Sequence, residues 1–346
     1  MFIRPGIRPL LLLILVVTVF GPSHLFALPP GYILQQPELL ILRKESVSAI
    51  AVGKPGIAWG LASGLLLEKK GGGTTFWNPE NSPLSSGEFA GIAFRDSEIW
   101  CSTRTYARGN GLCHYDGKRW HHLVTGTHGM LSNRISTLHI DADNWVWIGF
   151  DRLGVSQYIG DINSFRYFKE ISVKKGILVG KVLSILVLET HLWTGMTTGI
   201  SRVRLEVPSK VGKNVDNWTS SNGFPGRSSQ AIKPWGRQGV VVGTDVGLAF
   251  WDGESWAGLG RKQGLKVGRV NDLAVSDSKI WVGGKHGLQV WTPSGFGPLM
   301  NSLDGLPDDK ITVLAIENPD SIHERVYIGT ERGAAILIKQ ENTGKK

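Results

Sequence analysis

The segment Trp281-Val282-Gly283-Gly284-Lys285-His286-Gly287-Leu288 has six relatives in the same chain. Each carries an apolar pair, a glycine, a second glycine about four residues on, and usually Leu, Ile or Val. They are AWGLASGL (from Ala58), WIGFDRLGV (from Trp147), WTGMTTGI (from Trp193), VVGTDVGL (from Val241) and YIGTERGA (from Tyr327), with a degenerate copy, WCSTRTYARGNGL, from Trp100. The second glycines are Gly64, Gly111, Gly154, Gly199, Gly247, Gly287 and Gly333, at spacings of 47, 43, 45, 48, 40 and 46 residues. A repeat of this length that reads as strands, not helices, describes propeller blades. Seven copies predict an all-β, seven-bladed β-propeller.

The sixth repeat gives the plan of one blade. Val270 to Val275 is an inner strand, Ser276-Asp277-Ser278 turns it, and Lys279 to Gly283 forms a second strand. Gly284 to Gly287 turns again, Leu288 to Trp291 forms a third strand, and a weaker fourth lies around Phe296 to Met300. Glycine suits such turns because it tolerates positive φ. Inner strands recur at VSAIAV, FAGIAF, RISTLHI, VLSILVL, SSQAIKP and ITVLAI, with the alternation of strands packed between neighbours. The repeats fall near 47–88, 89–133, 134–180, 181–226, 227–268, 269–309 and 310–338.

The seventh repeat stops after its third strand, and residues 339–346 read as a polar tail. An apolar stretch at 38–42 belongs to no repeat and is expected to supply the missing outer strand, closing the ring. Closure matters because an open propeller exposes an unpaired edge.

Hydrophobic residues make up 41% of the 346, too many for a disordered chain. Residues 1–27 read as a signal peptide: Arg4 and Arg8, an apolar run from Leu10 to Phe20, a Gly21-Pro22 break and Ala27 at a cleavage point. The run is short for a membrane span. Leu25 suits signal peptidase poorly, so membrane attachment is expected only if the leader stays uncleaved. The expected location is bacterial export, periplasmic or secreted. Lys and Arg number 38 against 29 Asp and Glu; without Arg4 and Arg8 the balance is 36 against 29, or +7. That favours anionic partners, but the charges form no stripe interleaved with aromatics, so no nucleic-acid partner is expected.

Export bears on the two cysteines. Aligning the second repeat with the sixth puts Cys101 and Cys113 at positions that face each other across a hairpin. Opposed strand residues approach disulfide distance and an oxidising compartment would let the bond form. A Cys101–Cys113 disulfide clipping the turn from Thr103 to Asn110 is one expectation; two buried free thiols are the other.

The stretch ISTLHIDADNWVWIGFDRLGVSQY (Ile135 to Tyr158) resembles the two-component regulator propeller repeat, as do VNDLAVSDSKIWVGGKHGLQVW and Gly305-Leu306-Pro307 before Ile311. The resemblance covers residues 38–338. It implies a propeller of the kind that forms the periplasmic sensing part of membrane kinases and recognises extracellular ligands. The sequence departs from that pattern in that no transmembrane, kinase or DNA-binding segment follows, so this chain is expected to sense or bind without itself carrying a signal across a membrane.

Function in a propeller is expected at one mouth of the central channel. The residues just before the inner strands are Ser46, Glu88, Arg134, Lys181, Arg227, Arg269 and Lys310. The five basic ones, set around one opening, would attract anions, the arginines in bidentate fashion and the lysines as point charges. The plainer alternative pairs each with an acid such as Glu88, Asp272, Asp308 or Asp309. Expected partners are an anionic small molecule or glycan, or an envelope protein's acidic surface, bound by a monomer without a cofactor. Trp100, Trp147, Trp193, Trp281 and Tyr327 recur at one position and read as inter-blade core; Trp120, Trp256 and Trp291 read as rim packing or sugar-stacking platforms. No metal site is expected: His121, His122 and His128 lack a fixed-spacing ligand set, and Asp141-Ala142-Asp143-Asn144 reads as a strand turn, not a calcium loop. The competing class is a lyase or hydrolase in the same mouth. Streptogramin lyases share a seven-bladed ring with a His and Glu pair in the channel, but here the inner strands offer His139 with no acid at a matching position.

Overall fold

A computed structural model describes residues 28–105, 108–126, 130–158, 165–167, 176–207, 210–237, 239–276 and 278–340. The expected signal peptide and the tail beyond 340 lie outside the described residues. Seven antiparallel sheets form, six of them four-stranded and the second carrying an extra two-residue strand, Arg108–Gly109. The inner strands of blades one to seven are Val47–Gly53, Glu88–Arg95, Ile135–Ile140, Val182–Leu188, Ser229–Trp235, Val270–Val275 and Ile311–Glu317. Each contacts the next in cyclic order, the seventh returning to the first. The fold is the seven-bladed propeller that the repeats predict.

The two motif glycines exist for different reasons. The first lies inside the second strand and faces the start of the next blade's inner strand. A Cβ on Gly283 would stand 2.6 Å from Ile311 Cγ2, and one on Gly243 equally close to Val270 Cγ1. Those β-branched residues are fully buried and occupy the space that a side chain would need. The second glycine opens the third strand: Gly287 has φ +131°, and a Cβ there would meet the Met300 carbonyl at 2.1 Å. The degenerate second repeat has Ser102 at the first position, fully buried, its hydroxyl donating to the Gly111 carbonyl at 2.7 Å.

All seven inner strands break register near their start, a β-bulge in every blade. A bulge re-aims the extra residue, and several of these side chains reach the following blade. Ser48 Oγ accepts the Phe89 amide at 2.9 Å, Asn271 Nδ2 donates to the Ile311 carbonyl at 2.8 Å, and the Thr312 hydroxyl donates to the Val47 carbonyl. Backbone groups at the channel-side edges thus find partners across the seams.

Aromatic residues fill those seams, as expected for Trp100, Trp147, Trp193, Trp281 and Tyr327, all buried. Tyr327 meets Trp59 of blade one edge-on at 5.7 Å. The outer tryptophans join the packing: Trp120 against Trp77, Trp256 against Trp251 and Phe224, and Trp291 against Trp235.

The ring is closed by an N-terminal strand, but not by residues 38–42. The closing strand is Tyr32–Gln35, antiparallel to Gly333–Lys339 with Tyr32 opposite Lys339 and Gln35 opposite Ile336. Leu40–Arg43 is instead a 3-10 turn that buries Leu42 in the seam of blades seven and one. A short apolar run cannot be told from a buried turn by periodicity; here Tyr32 decides the register. Its ring packs edge-on against Trp281 at 5.0 Å, and its hydroxyl donates to Glu324 Oε1 at 2.6 Å. Glu324 is fully buried and also pairs with Lys279 of blade six at 3.2 Å.

Candidate functional site

One face of the ring carries the loops that enter the inner strands together with the turns between second and third strands. Arg134, Lys181, Arg227, Arg269 and Lys310 all lie at that face, immediately before or near the start of their inner strands. Lys181 is half-buried and the other four are exposed. Their surroundings differ. The Lys310 ammonium pairs with Glu331, the Arg269 guanidinium donates to Gln230 Oε1 at 2.6 Å, and Arg227 presents only its backbone amide to a neighbour, Asp245 Oδ1 at 2.8 Å. Gln230 is the bulged residue of blade five, so the fold itself supplies the partner that holds Arg269.

Arg134 and Lys181 are brought together, from blades three and four, by a residue the sequence reading did not single out. Asp151, in the turn after the second strand of blade three, lies 3.3 Å from Arg134 Nε and 3.5 Å from Lys181 Nζ. The side chains of the acids expected as partners are held mainly by other groups, though Asp308 Oδ1 also accepts the Lys310 amide at 2.8 Å. Glu88 pairs with Arg104 at 3.0 Å, Asp308 with Arg332 at 3.3 Å, Asp309 accepts the Ser302 amide at 2.9 Å, and Asp272 accepts backbone amides of Leu273 and Leu314, each at 2.8 Å. Asp151 and Glu331 occupy equivalent turn positions in their repeats; aligning the turns as well as the strand starts would have found them.

Around the Arg134–Asp151–Lys181 group lies a cavity of about 770 Å³. Its walls also include Arg152, Thr197, Leu153 and Val179, with fully buried Phe150 behind them. No charged partner for Arg152 occurs among the described residues. Exposed apolar side chains recur on the same face, with Val179 at 70% and Leu303 at 89% exposure.

Deeper in the channel, His139, Lys233 and Asp272 form a loose polar group. His139 Nε2 accepts the Val187 amide of the next blade at 3.4 Å. Burial first, then the positive charge of Lys233, lowers its pKa to about 4, so it is neutral at neutral pH. Burial pushes the Asp272 carboxyl up, opposed by Lys233. Asp272 is level in the ladder with Thr137, not with His139, since Asp272 opposes Gly283 as Thr137 opposes Gly149. Both groups serve backbone amides at blade seams.

Cys101 and Cys113 are directly opposed in the ladder, as the repeat alignment expects. Both are fully buried, with their thiols facing each other across the hairpin, so the register expectation is met. Burial and the neighbouring Cys113 sulfur hold the Cys101 thiol well above its ordinary pKa. Of the three histidines, His121 binds Asp116 at 2.8 Å, His122 meets the Asn110 carbonyl at 2.5 Å, and His128 lies outside the described residues. No cluster of His, Cys, Asp and Glu suited to a metal occurs among the described residues. Asp141 is a turn residue, its Oδ1 accepting the amides of Asp143 and Trp145.

The fold is a seven-bladed β-propeller with a basic loop face at one mouth of its channel. Among solved structures, the extracellular domain of the putative hybrid two-component system BT3049 from B. thetaiotaomicron superposes with a TM-score of 0.68 at 15% identity, covering 88% of this chain and 42% of that one. PorZ, a surface component of the type-IX secretion system of Porphyromonas gingivalis, gives 0.65 at 13% identity over 87% of this chain and 48% of that one. A streptogramin B lyase gives 0.60 at 11% identity over 88% and 97%. The chain thus spans less than half the length of the first two. At these identities the likeness is one of fold. No protein-family model and no curated protein matches the sequence. No helix among the described residues is long and apolar enough to cross a membrane.

Proposed function

We propose that this protein is an exported, non-catalytic propeller that binds an acidic ligand or the acidic surface of a partner through its basic loop face. The observation that carries the reading is the set of cations before the inner strands, of which Arg227 lacks a side-chain partner among the described residues and Arg134 and Lys181 share one carboxylate. Cations concentrated at a concave low-dielectric mouth focus positive potential outward. Exposed Val179 and Leu303 on the same face suit a ligand or partner that also has an apolar part. The likeness to extracellular domains of signalling and secretion proteins supports export and a sensing or interaction role. The channel histidine favours binding over catalysis: His139 uses Nε2 to hold a backbone amide, leaving no inner-strand acid and base pair at one level.

Thermal unfolding of residues 28–346 against a panel of acidic and neutral oligosaccharides, phosphates and acidic peptides tests the proposal. A ligand at a hundredfold excess over its dissociation constant adds about 2.7 kcal/mol of stability. Acidic members are expected to raise Tm, and the triple variant R134A/R227A/R269A to abolish the shift. Stabilisation by neutral members only, or an equal shift in the variant, overturns the reading.

A further inference from the structure

The five cations are not equivalent, and the difference selects one subsite. Lys310 is matched by a carboxylate of its own, and Arg269 is held by a neutral amide. At the seam of blades three and four, three cations and one acid line the same cavity: Arg134, Arg152 and Lys181 with Asp151, which pairs with the first and the last. The charges there sum to +2. Asp151 reaches Arg134 and Lys181 at 3.3 and 3.5 Å, longer than the 2.7 Å of the Arg202–Asp216 and Arg95–Glu98 pairs. It is thus one carboxylate shared between two cations. A cavity of about 770 Å³ falls in the range that encloses a small organic ligand.

Resting on the binding reading above, we propose that this cavity is a subsite for a phosphate monoester, the doubly charged group engaged by Arg134, Arg152 and Lys181 and the organic body lying against Leu153 and Val179. A phosphate monoester carries about −1.5 to −2 at neutral pH, which matches the local excess. Two guanidinium forks and one ammonium suit its three terminal oxygens. The Thr197 hydroxyl adds a neutral contact: its oxygen accepts the Lys181 amide at 3.3 Å, leaving its own proton to donate to a ligand. Asp151 is a positioning residue, paired with Arg134 and Lys181 and setting the charge at +2 instead of +3.

Calorimetric titration with inorganic phosphate, a hexose monophosphate and the parent hexose tests the assignment. The hexose monophosphate is expected to bind, inorganic phosphate to bind more weakly for want of the apolar contacts, and the hexose not to bind. R134A and K181A are each expected to weaken binding of the monophosphate at least about tenfold, the loss of one charge-assisted contact. D151N, which raises the local charge, is expected to tighten it, and higher salt to weaken it. K54A and R237A, exposed in the turns between first and second strands at the opposite face of the ring, are expected to leave it unchanged. Because these side chains are exposed or half-buried, circular dichroism melts should show every variant folded. Equal loss in K54A or R237A, or no loss in R134A and K181A, overturns the subsite; acidic peptides or oligosaccharides still raising Tm would leave the acidic-ligand face in place. Absence of monophosphate binding, with acidic peptides or oligosaccharides still raising Tm, overturns the phosphate assignment alone; absence of every acidic ligand removes both.

Discussion

Gly283 and Gly287 stand in one hairpin, yet one is required by a neighbouring blade and the other by its own. Gly283→Ala would force a methyl to within 2.6 Å of Ile311 Cγ2, so the seam of blades six and seven must open. Overpacking of that kind costs about 1–3 kcal/mol, and urea unfolding should show it as a lower midpoint with the slope retained. An unchanged midpoint would mean that the seam yields freely. The cysteine pair makes a second residue-scale test. Cys101 and Cys113 are opposed and buried, so protein recovered from an oxidising compartment is expected to be lighter by two hydrogens in intact mass and to lose stability on reduction. Two alkylatable thiols in the unfolded, unreduced chain would show that burial keeps them apart from oxidants.

Among the elements, the closing strand Tyr32–Gln35 joins the two ends of the fold. Its attachment combines four ladder positions with a polar lock in which buried Glu324 accepts from Tyr32 and pairs with Lys279. Removing one partner of a buried pair leaves an uncompensated charge, typically at 3–5 kcal/mol. Lys279→Met should therefore destabilise the ring markedly, whereas Tyr32→Phe, which spares the ion pair, should cost only about 1–3 kcal/mol. Starting the chain at residue 37 would expose the free edge of Gly333–Lys339 and is expected to promote association, visible by light scattering. A monodisperse, equally stable truncation would show that the Leu40–Arg43 turn alone suffices for closure.

For the whole ring, the channel sets a pH dependence. His139 is neutral in the fold because its pKa falls to about 4, against an ordinary value of 6.5. Between those values the unfolded chain takes a proton that the folded chain refuses, so His139 lowers stability as pH falls through that window, by about 3 kcal/mol at most. Protonation would also remove the acceptor for the Val187 amide. Asp272 acts with the opposite sign, since its raised pKa lets the folded state take up a proton more readily than the unfolded chain. The contribution of His139 is therefore the difference between the parent protein and His139→Gln, which keeps an acceptor but does not titrate. Identical pH profiles of Tm for the two would exclude it.

The repeats determined the blade count, the inner strands and the aromatic seams. Each depends on local periodicity and on glycines whose spacing is written in the chain. They also located the five basic residues, because every copy starts its inner strand at the same point. Tertiary structure alone decided which segment closes the ring: residues 32–35 and 38–42 are both short and partly apolar, and only the Tyr32–Glu324–Lys279 contacts, made with residues about 250 to 290 positions away, separate them. It alone showed that the first motif glycine answers to the next blade. It alone placed Asp151 between Arg134 and Lys181, because a side chain in a turn of one blade and a loop entering the next become neighbours only when the ring curves them together. Charge along the sequence gives a count; the curvature of the ring decides which charges share a cavity.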